Sequence, residues 1–337
     1  MKIYALADLA SNWYPHQAFR HFQHYSKVEF VTQPSQAHLI WIMSYYLSPA
    51  PLLTWPFSLY KLFPLTTYKK RSLTKIPVIT TIHHLTPAKK DLWLPTINLL
   101  DKITDSWQTS SRLNAPYIKQ FISKPLHLLP YWIDTEQFYP LSAKQHKDTR
   151  DMLKLPRQKT IVGSFQRDTE DDLTSPKLEK GPDIFCDIVE QLNPKDIFVL
   201  LSGPRRHYTE KRLSAKQIPY RSLGKVPFQQ MNSIYNTLDY YLVTSRHEGG
   251  PQAILEAMAT NTKIFSTRVG VADLLSPQVI FSNAKQCVAL LNQPYPDVLS
   301  KHQQTITSYS HQNVIPQFEQ FFNKLVKDKE FSPQKHI

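Results

Sequence analysis

Two carboxylates stand close together in an unusual setting. Glu248 and Glu256 are separated by seven residues, within Ser245-Arg246-His247-Glu248-Gly249-Gly250-Pro251-Gln252-Ala253-Ile254-Leu255-Glu256-Ala257-Met258-Ala259. An ionised glutamate only accepts hydrogen bonds, so it suits sugar and ribose hydroxyls, which donate. Gly249 and Gly250 let the backbone turn sharply and approach a ligand. Pro251 fits a first helical position, where its missing N–H has no partner to lose. From Gln252 to Ala259 good helix formers follow, and Asn261 suits a left-handed end. Glu248 would face whatever lies over the glycines, and Glu256 would reach a hydroxyl further along the same ligand.

These side chains need a frame. Tyr240-Tyr241-Leu242-Val243 reads as a buried strand running into the turn. The product is strand, glycine turn, helix, with the open helix N-terminus over the strand end, a place for a phosphate or a polar sugar. A helical glutamate is ordinarily a solvated residue and Gly-Gly-Pro ordinarily a turn. Their combination between a buried strand and an Ala-rich helix argues for a site.

The stretch resembles the E-x7-E signature of the family 4 retaining glycosyltransferases, which have the GT-B fold. The resemblance implies that Glu248 contacts the transferred sugar and Glu256 holds the nucleotide ribose. It also implies that the backbone at Gly249, Gly250 and Pro251 lies along the sugar or its phosphates. Two cations match further family positions, Arg167 soon after a strand and Lys180 in a Lys-Gly pair. Both would neutralise the donor diphosphate, because a leaving nucleoside diphosphate develops charge that fixed cations stabilise. Ile76 to Ile82 reads as a strand ending in His83-His84, where open α/β sheets bind ligands. A histidine there can exchange hydrogen bonds with a sugar, and the family commonly has one facing the donor sugar. Alternation sends His83 and His84 to opposite sides, so either is the candidate.

Strands and helices alternate twice along the 337 residues. The expected fold is α/β, GT-B, with two doubly wound parallel-sheet, Rossmann-like domains and an interdomain cleft. The expected domains are 1–150 on the acceptor side and 151–310 for the nucleotide sugar. Segment 311–337 would supply a helix crossing back to the first domain. The polar stretch 142–159 reads as the linker, and the charged loop Gln166 to Glu179 as a mobile one. Leu126 to Pro140 resembles the family's passage between the halves, with Trp132 where glycine is usual.

The formal net charge is +13, more of it in the first half, so anions are the expected partners. Zinc-finger spacing, an RNP motif and a basic zipper are all missing, so nucleic acid is not expected. In segment 55–75 Trp55, Phe57, Tyr60, Phe63 and Tyr68 precede Lys69-Lys70-Arg71, a combination suited to an anionic membrane surface, although prolines interrupt it. Cys186 and Cys287 form no disulfide framework and fit a reducing compartment. No run of about 18 apolar residues suggests a membrane span. A cytoplasmic protein, peripheral at most on the inner membrane surface, is expected.

The function expected from these residues is glycosyl transfer from a nucleoside-diphosphate sugar to a glycan or lipid-linked acceptor. No metal or other cofactor is expected. A sugar phosphorylase or synthase, a non-catalytic nucleotide-sugar binder and a basic nucleic-acid binder are the rival readings.

Overall fold

The computed structural model describes residues 1–6, 14–45 and 76–330. The basic aromatic segment 55–75 and the loop after the first strand lie outside them. In chain order the elements begin β1 (Lys2–Leu6), α1 (Tyr14–Tyr25), β2 (Glu29–Phe30), β3 (Leu39–Ile42), β4 (Val78–Thr81) and α2 (Lys90–Asp101). Next come β5 (Ser106–Thr109), α3 (Ala115–Ile118), β6 (Leu126–Leu128), α4 (Ala143–Met152), β7 (Thr160–Ser164) and α5 (Pro182–Val189). Then follow β8 (Ile197–Leu201), α6 (His207–Ala215), β9 (Tyr220–Ser222), α7 (Met231–Asn236), β10 (Tyr240–Val243) and α8 (Gln252–Ala259). The chain ends through β11 (Ile264–Ser266), α9 (Ala284–Leu291), α10 (Leu299–Tyr309) and α11 (His311–Glu330). Two compact units result, Met1–Tyr131 with His311–Ile337, and Trp132–Ser310.

The first unit is built on a six-stranded parallel sheet in the order β2-β1-β3-β4-β5-β6. Its central strands read Leu-Ile-Trp-Ile and Val-Ile-Thr-Thr and are buried throughout. Strands buried at every residue are covered on both faces, and the hydroxyls of Thr80 and Thr81 are hydrogen-bonded to Thr104 and Gln108. Trp41 meets Phe22 of α1 at a ring separation of 5.1 Å and Phe322 of α11 at the same distance. The C-terminal helix therefore completes this unit's core. Lys329 near its end pairs with Asp105 at 2.8 Å.

The second unit holds five parallel strands in the order β11-β10-β7-β8-β9. Counted within the unit this is 5-4-1-2-3, so the strand order reverses between β7 and β10. Ligands of open α/β sheets bind at that reversal, outside the carboxyl ends of the strands. The loops that emerge there run from Phe165 to Gly181 and from Thr244 to Pro251.

Two expectations about the connecting segments need correction. The stretch 142–159 is not a bare linker. Ser142 and Gln145 form a reciprocal capping box that starts α4. Arg150 then donates to the Thr237 carbonyl at 2.9 Å and pairs with Asp239 at 2.9 Å, fixing α4 to the second unit. Loop Gln166 to Glu179 is not loose either. Asp168 and Thr169 are buried, and both their N–H groups donate to the Arg205 carbonyl, at 3.1 and 3.2 Å. Lys177 is buried too, and pairs with Glu170 at 3.2 Å and Glu179 at 2.9 Å. Both segments are rich in charge, which reads as solvation in a sequence, but Arg150, Asp168 and Lys177 are turned to partners within the unit.

Among the described residues no helix is long and apolar enough to cross a membrane.

Candidate functional site

The site is assembled at the strand reversal of the second unit. β10 ends at Val243, and Thr244 and Ser245 are fully buried. The Thr267 hydroxyl donates to the Ser245 carbonyl at 2.6 Å, and the Thr244 hydroxyl to the Gly181 carbonyl at 2.8 Å. Gly181 has φ +63°, and a Cβ there would lie 1.8 Å from the Thr244 carbonyl oxygen. Only glycine allows this backbone approach. Lys180 is thereby delivered to the glycine turn.

There Lys180 Nζ meets Glu248 Oε1 at 2.7 Å. The lysine side chain is 23% exposed and the glutamate 12%, so the pair is largely shielded and still open on one side. Ser245 Oγ also reaches Glu248 Oε1, at 2.9 Å. Gln166 ties the loops together. Its amide nitrogen donates to the Lys180 carbonyl at 2.6 Å and to Thr244 Oγ1 at 3.0 Å, while its oxygen lies 3.0 Å from Ser245 Oγ. The N–H groups of Arg246 and His247 donate to the Glu179 carbonyl at 2.9 and 3.1 Å. The two loops are thus one hydrogen-bonded body.

The helix entrance differs slightly from expectation. Pro251 is the capping residue, with φ −63° and ψ 110°, and α8 starts at Gln252. No side chain caps this helix, so its first N–H groups remain directed outward. Gly249 is buried and Gly250 partly so. Gly270, at φ +57°, packs against the turn: a Cβ there would meet Pro251 Cδ at 2.5 Å and Gly250 Cα at 2.8 Å. At the far end Asn261 takes φ +59°, as its left-handed role requires.

Glu256 lies one side of this entrance, held among aromatic residues. The Tyr235 hydroxyl donates to its carboxylate. Tyr235 packs against Tyr241 and Phe165, with ring separations of 5.2 and 5.0 Å. Burial raises the Glu256 carboxyl to about 7, and the tyrosine bond lowers it only in part.

The remaining expected residues are spread unevenly. Arg167 is exposed, directly after Gln166, in the field of Asp171. Arg205 and Arg206, which follow β8, are engaged inside the unit. Arg205 pairs with Asp171. Arg206 is buried, donates to Ser164 Oγ at 3.0 Å and lies 3.7 Å from Asp168. In the first unit, by itself, His83 is buried between the Met43 carbonyl, 3.0 Å from Nε2, and the Tyr131 hydroxyl, 2.5 Å from Nδ1. Nε2–H donates to the carbonyl, so both ring nitrogens are engaged within the unit. His84 is partly exposed.

Gln166, Thr244, Ser245 and Tyr235 had no role assigned from sequence. Serine, threonine and glutamine are common at any loop, and only their convergence on Lys180 and Glu248 marks them. Trp132, where a glycine is usual, is buried, and its carbonyl accepts from Gln252 at 2.7 Å.

Chemically, the geometry offers an uncapped helix entrance, a lysine, a carboxylate beside it, and a second carboxylate set apart. It can hold an anion and, on either side of it, groups that donate hydrogen bonds.

A family model described as glycosyl transferases group 1 matches residues 173–292. A search of curated proteins found no match. Among solved structures, Anabaena HepE in complex with UDP and glucose superposes with a TM-score of 0.74 at 14% identity, covering 96% of this chain and 100% of that one. Sucrose-phosphate synthase from Thermosynechococcus elongatus gives 0.72 at 14% identity, covering 97% and 99%. WaaG, a glycosyltransferase involved in lipopolysaccharide biosynthesis, gives 0.68 at 10% identity, covering 96% and 99%. The expected GT-B fold and the kinship with group 1 glycosyltransferases are borne out, the latter on residues 173–292.

Proposed function

We propose that this chain, a group 1 glycosyltransferase by its matched segment, is a family 4 retaining enzyme that transfers a sugar from a nucleoside-diphosphate sugar to a hydroxyl acceptor. The observation that carries the reading is Lys180 held against Glu248 at the uncapped entrance of α8, at 2.7 Å. HepE binds UDP and glucose on the same fold, which supports a nucleotide-sugar donor here too.

In this reading Lys180, Arg167 and the α8 entrance hold the diphosphate and stabilise the charge it gains on leaving. Glu256 accepts from the ribose hydroxyls. Glu248 and one histidine of the pair His83-His84 fix the transferred sugar. The bond from the anomeric carbon to phosphate oxygen breaks, and the acceptor oxygen attaches on the same face. The acceptor's proton passes to the departing phosphate. Lys180 supplies the cationic charge, so the transfer is metal-independent, and EDTA should leave the rate unchanged. We assign the protein to the cytoplasm, where its two free, buried thiols stay reduced. A glycan or lipid-linked alcohol is the acceptor class.

A thermal-shift screen against UDP-, GDP- and ADP-sugars tests the donor. One base is expected to raise the midpoint by several degrees, and incubation with that donor should release free nucleoside diphosphate. A flat response to all three would refute the proposal.

A further inference from the structure

Tyr235 carries a hydroxyl into a cluster of rings. Its side chain is buried in the second unit. Phe165 lies at a ring separation of 5.0 Å, Tyr241 at 5.2 Å and Phe138 at 6.2 Å. A phenylalanine would fill that space as well, and a buried hydroxyl is costly unless it is bonded. Its partners are the Glu256 carboxylate, to which it donates, and the hydroxyl of Tyr241.

The main chain repeats the connection. The Tyr235 carbonyl accepts from the Thr262 hydroxyl at 3.0 Å. The N–H of Thr262 donates in turn to the Ala257 carbonyl of α8 at 2.9 Å. Tyr235, near the end of α7, is therefore fixed to α8 through main chain and side chain together.

The chain has 40 lysines and arginines, yet among the described residues none pairs with Glu256. Burial and the Tyr235 bond are what set its carboxyl. Arg206 and Glu248 act on Tyr241, behind Tyr235. From α10 the neighbour is Gln303, which is uncharged and donates to the Met258 carbonyl at 2.6 Å. A cation would neutralise the carboxylate, and an arginine would cover both its oxygens. A phenol occupies one lone-pair site of about four and leaves the rest to accept. Glu256 is partly exposed, so a ligand can reach them.

We propose that Tyr235, backed by Tyr241, is a positioning residue for the nucleotide. It aims the Glu256 carboxylate at the ribose hydroxyls without neutralising it. It thereby sets how strongly the site prefers a ribonucleotide to a deoxynucleotide. The ribose role of Glu256 rests on the proposed glycosyl transfer; the Tyr235–Glu256 bond does not.

The test is titration calorimetry of the full chain with UDP and 2′,3′-dideoxy-UDP between pH 6 and pH 9, or with the matching ADP or GDP pair where the base screen selects it. In the wild type the preference for the ribonucleotide should rise with pH as the carboxylate forms. Tyr235 holds the Glu256 carboxyl lower than burial alone would. Tyr235→Phe should therefore move that rise up by about one pH unit and cut the preference about fivefold at pH 7. In Glu256→Gln the preference should be small at every pH, and adding Tyr235→Phe should change it little. Lost packing alone would weaken both nucleotides together and leave the profile in place. Should Tyr235→Phe not fold, Tyr241→Phe replaces it, since it strips the Tyr235 hydroxyl of its second partner and should displace the rise too. A profile coinciding with the wild type in the variant that folds would overturn the positioning role. A wild type that binds both nucleotides equally at every pH would remove the ribose role of Glu256, and the positioning with it. Failure to bind either nucleotide would instead count against glycosyl transfer.

Discussion

Glu256 is the residue whose surroundings say most about its use. Burial beside Tyr235 and Tyr241 raises its carboxyl to about 7, so it titrates near neutrality. The folded chain then holds a proton between the unfolded value near 4.5 and about 7 that the unfolded chain has released. This contribution to stability is present below pH 4.5 and is lost as pH rises to 7. Glu256→Gln should flatten the fall in unfolding midpoint from pH 5 to pH 8, a difference on the order of 2 kcal/mol. Donor affinity should move the other way in the wild type. It should strengthen from pH 6 to pH 8 as the carboxylate forms to accept from ribose, and Glu256→Ala should weaken it by about 10- to 100-fold at pH 8. Calorimetric titrations at the two pH values measure this. The E-x7-E spacing made Glu256 visible in the sequence, but not its proton. That depends on Tyr235 and Tyr241, which arrive from other elements and carry no motif.

Among the elements, the turns at Gly181 and Gly270 hold the site in shape. Gly181→Ala combines a left-handed φ with a Cβ set 1.8 Å from the Thr244 carbonyl. It should cost about 3 kcal/mol or more and displace Lys180, read as a lower unfolding midpoint together with a lost rate. The strand-turn-helix around Glu248 was legible because each piece is local: apolar strand, paired glycines, helix formers, Asn261. Loop 166–179 was not. Its charges suggested mobility, yet Asp168, Thr169 and Lys177 are buried by contacts that no short-range pattern announces. Segment 142–159 misleads in the same way, since its helix is fixed by Arg150 reaching Thr237 and Asp239. His83 and His84 are adjacent in sequence and part only in the fold, one bonded at both ring nitrogens and the other partly exposed.

At the scale of the whole molecule, the chain makes two parallel-sheet units, and its last helix returns to the first of them. Phe322 is fully buried beside Trp41 and Phe22. Phe322→Ala should therefore cost about 3–5 kcal/mol, although it is over 270 residues from those partners, as denaturant unfolding would show. In the second unit the sheet order places two loops at one reversal, and everything proposed of the donor follows from that placement. The most direct test is the affinity of Lys180→Ala for the nucleoside diphosphate of its donor, set against its unfolding midpoint. Removal of the ammonium should weaken binding about tenfold or more and slow transfer about 10²- to 10³-fold, while the midpoint stays near that of the wild type. Unchanged affinity and rate in Lys180→Ala would contradict the assignment of this site to an activated sugar.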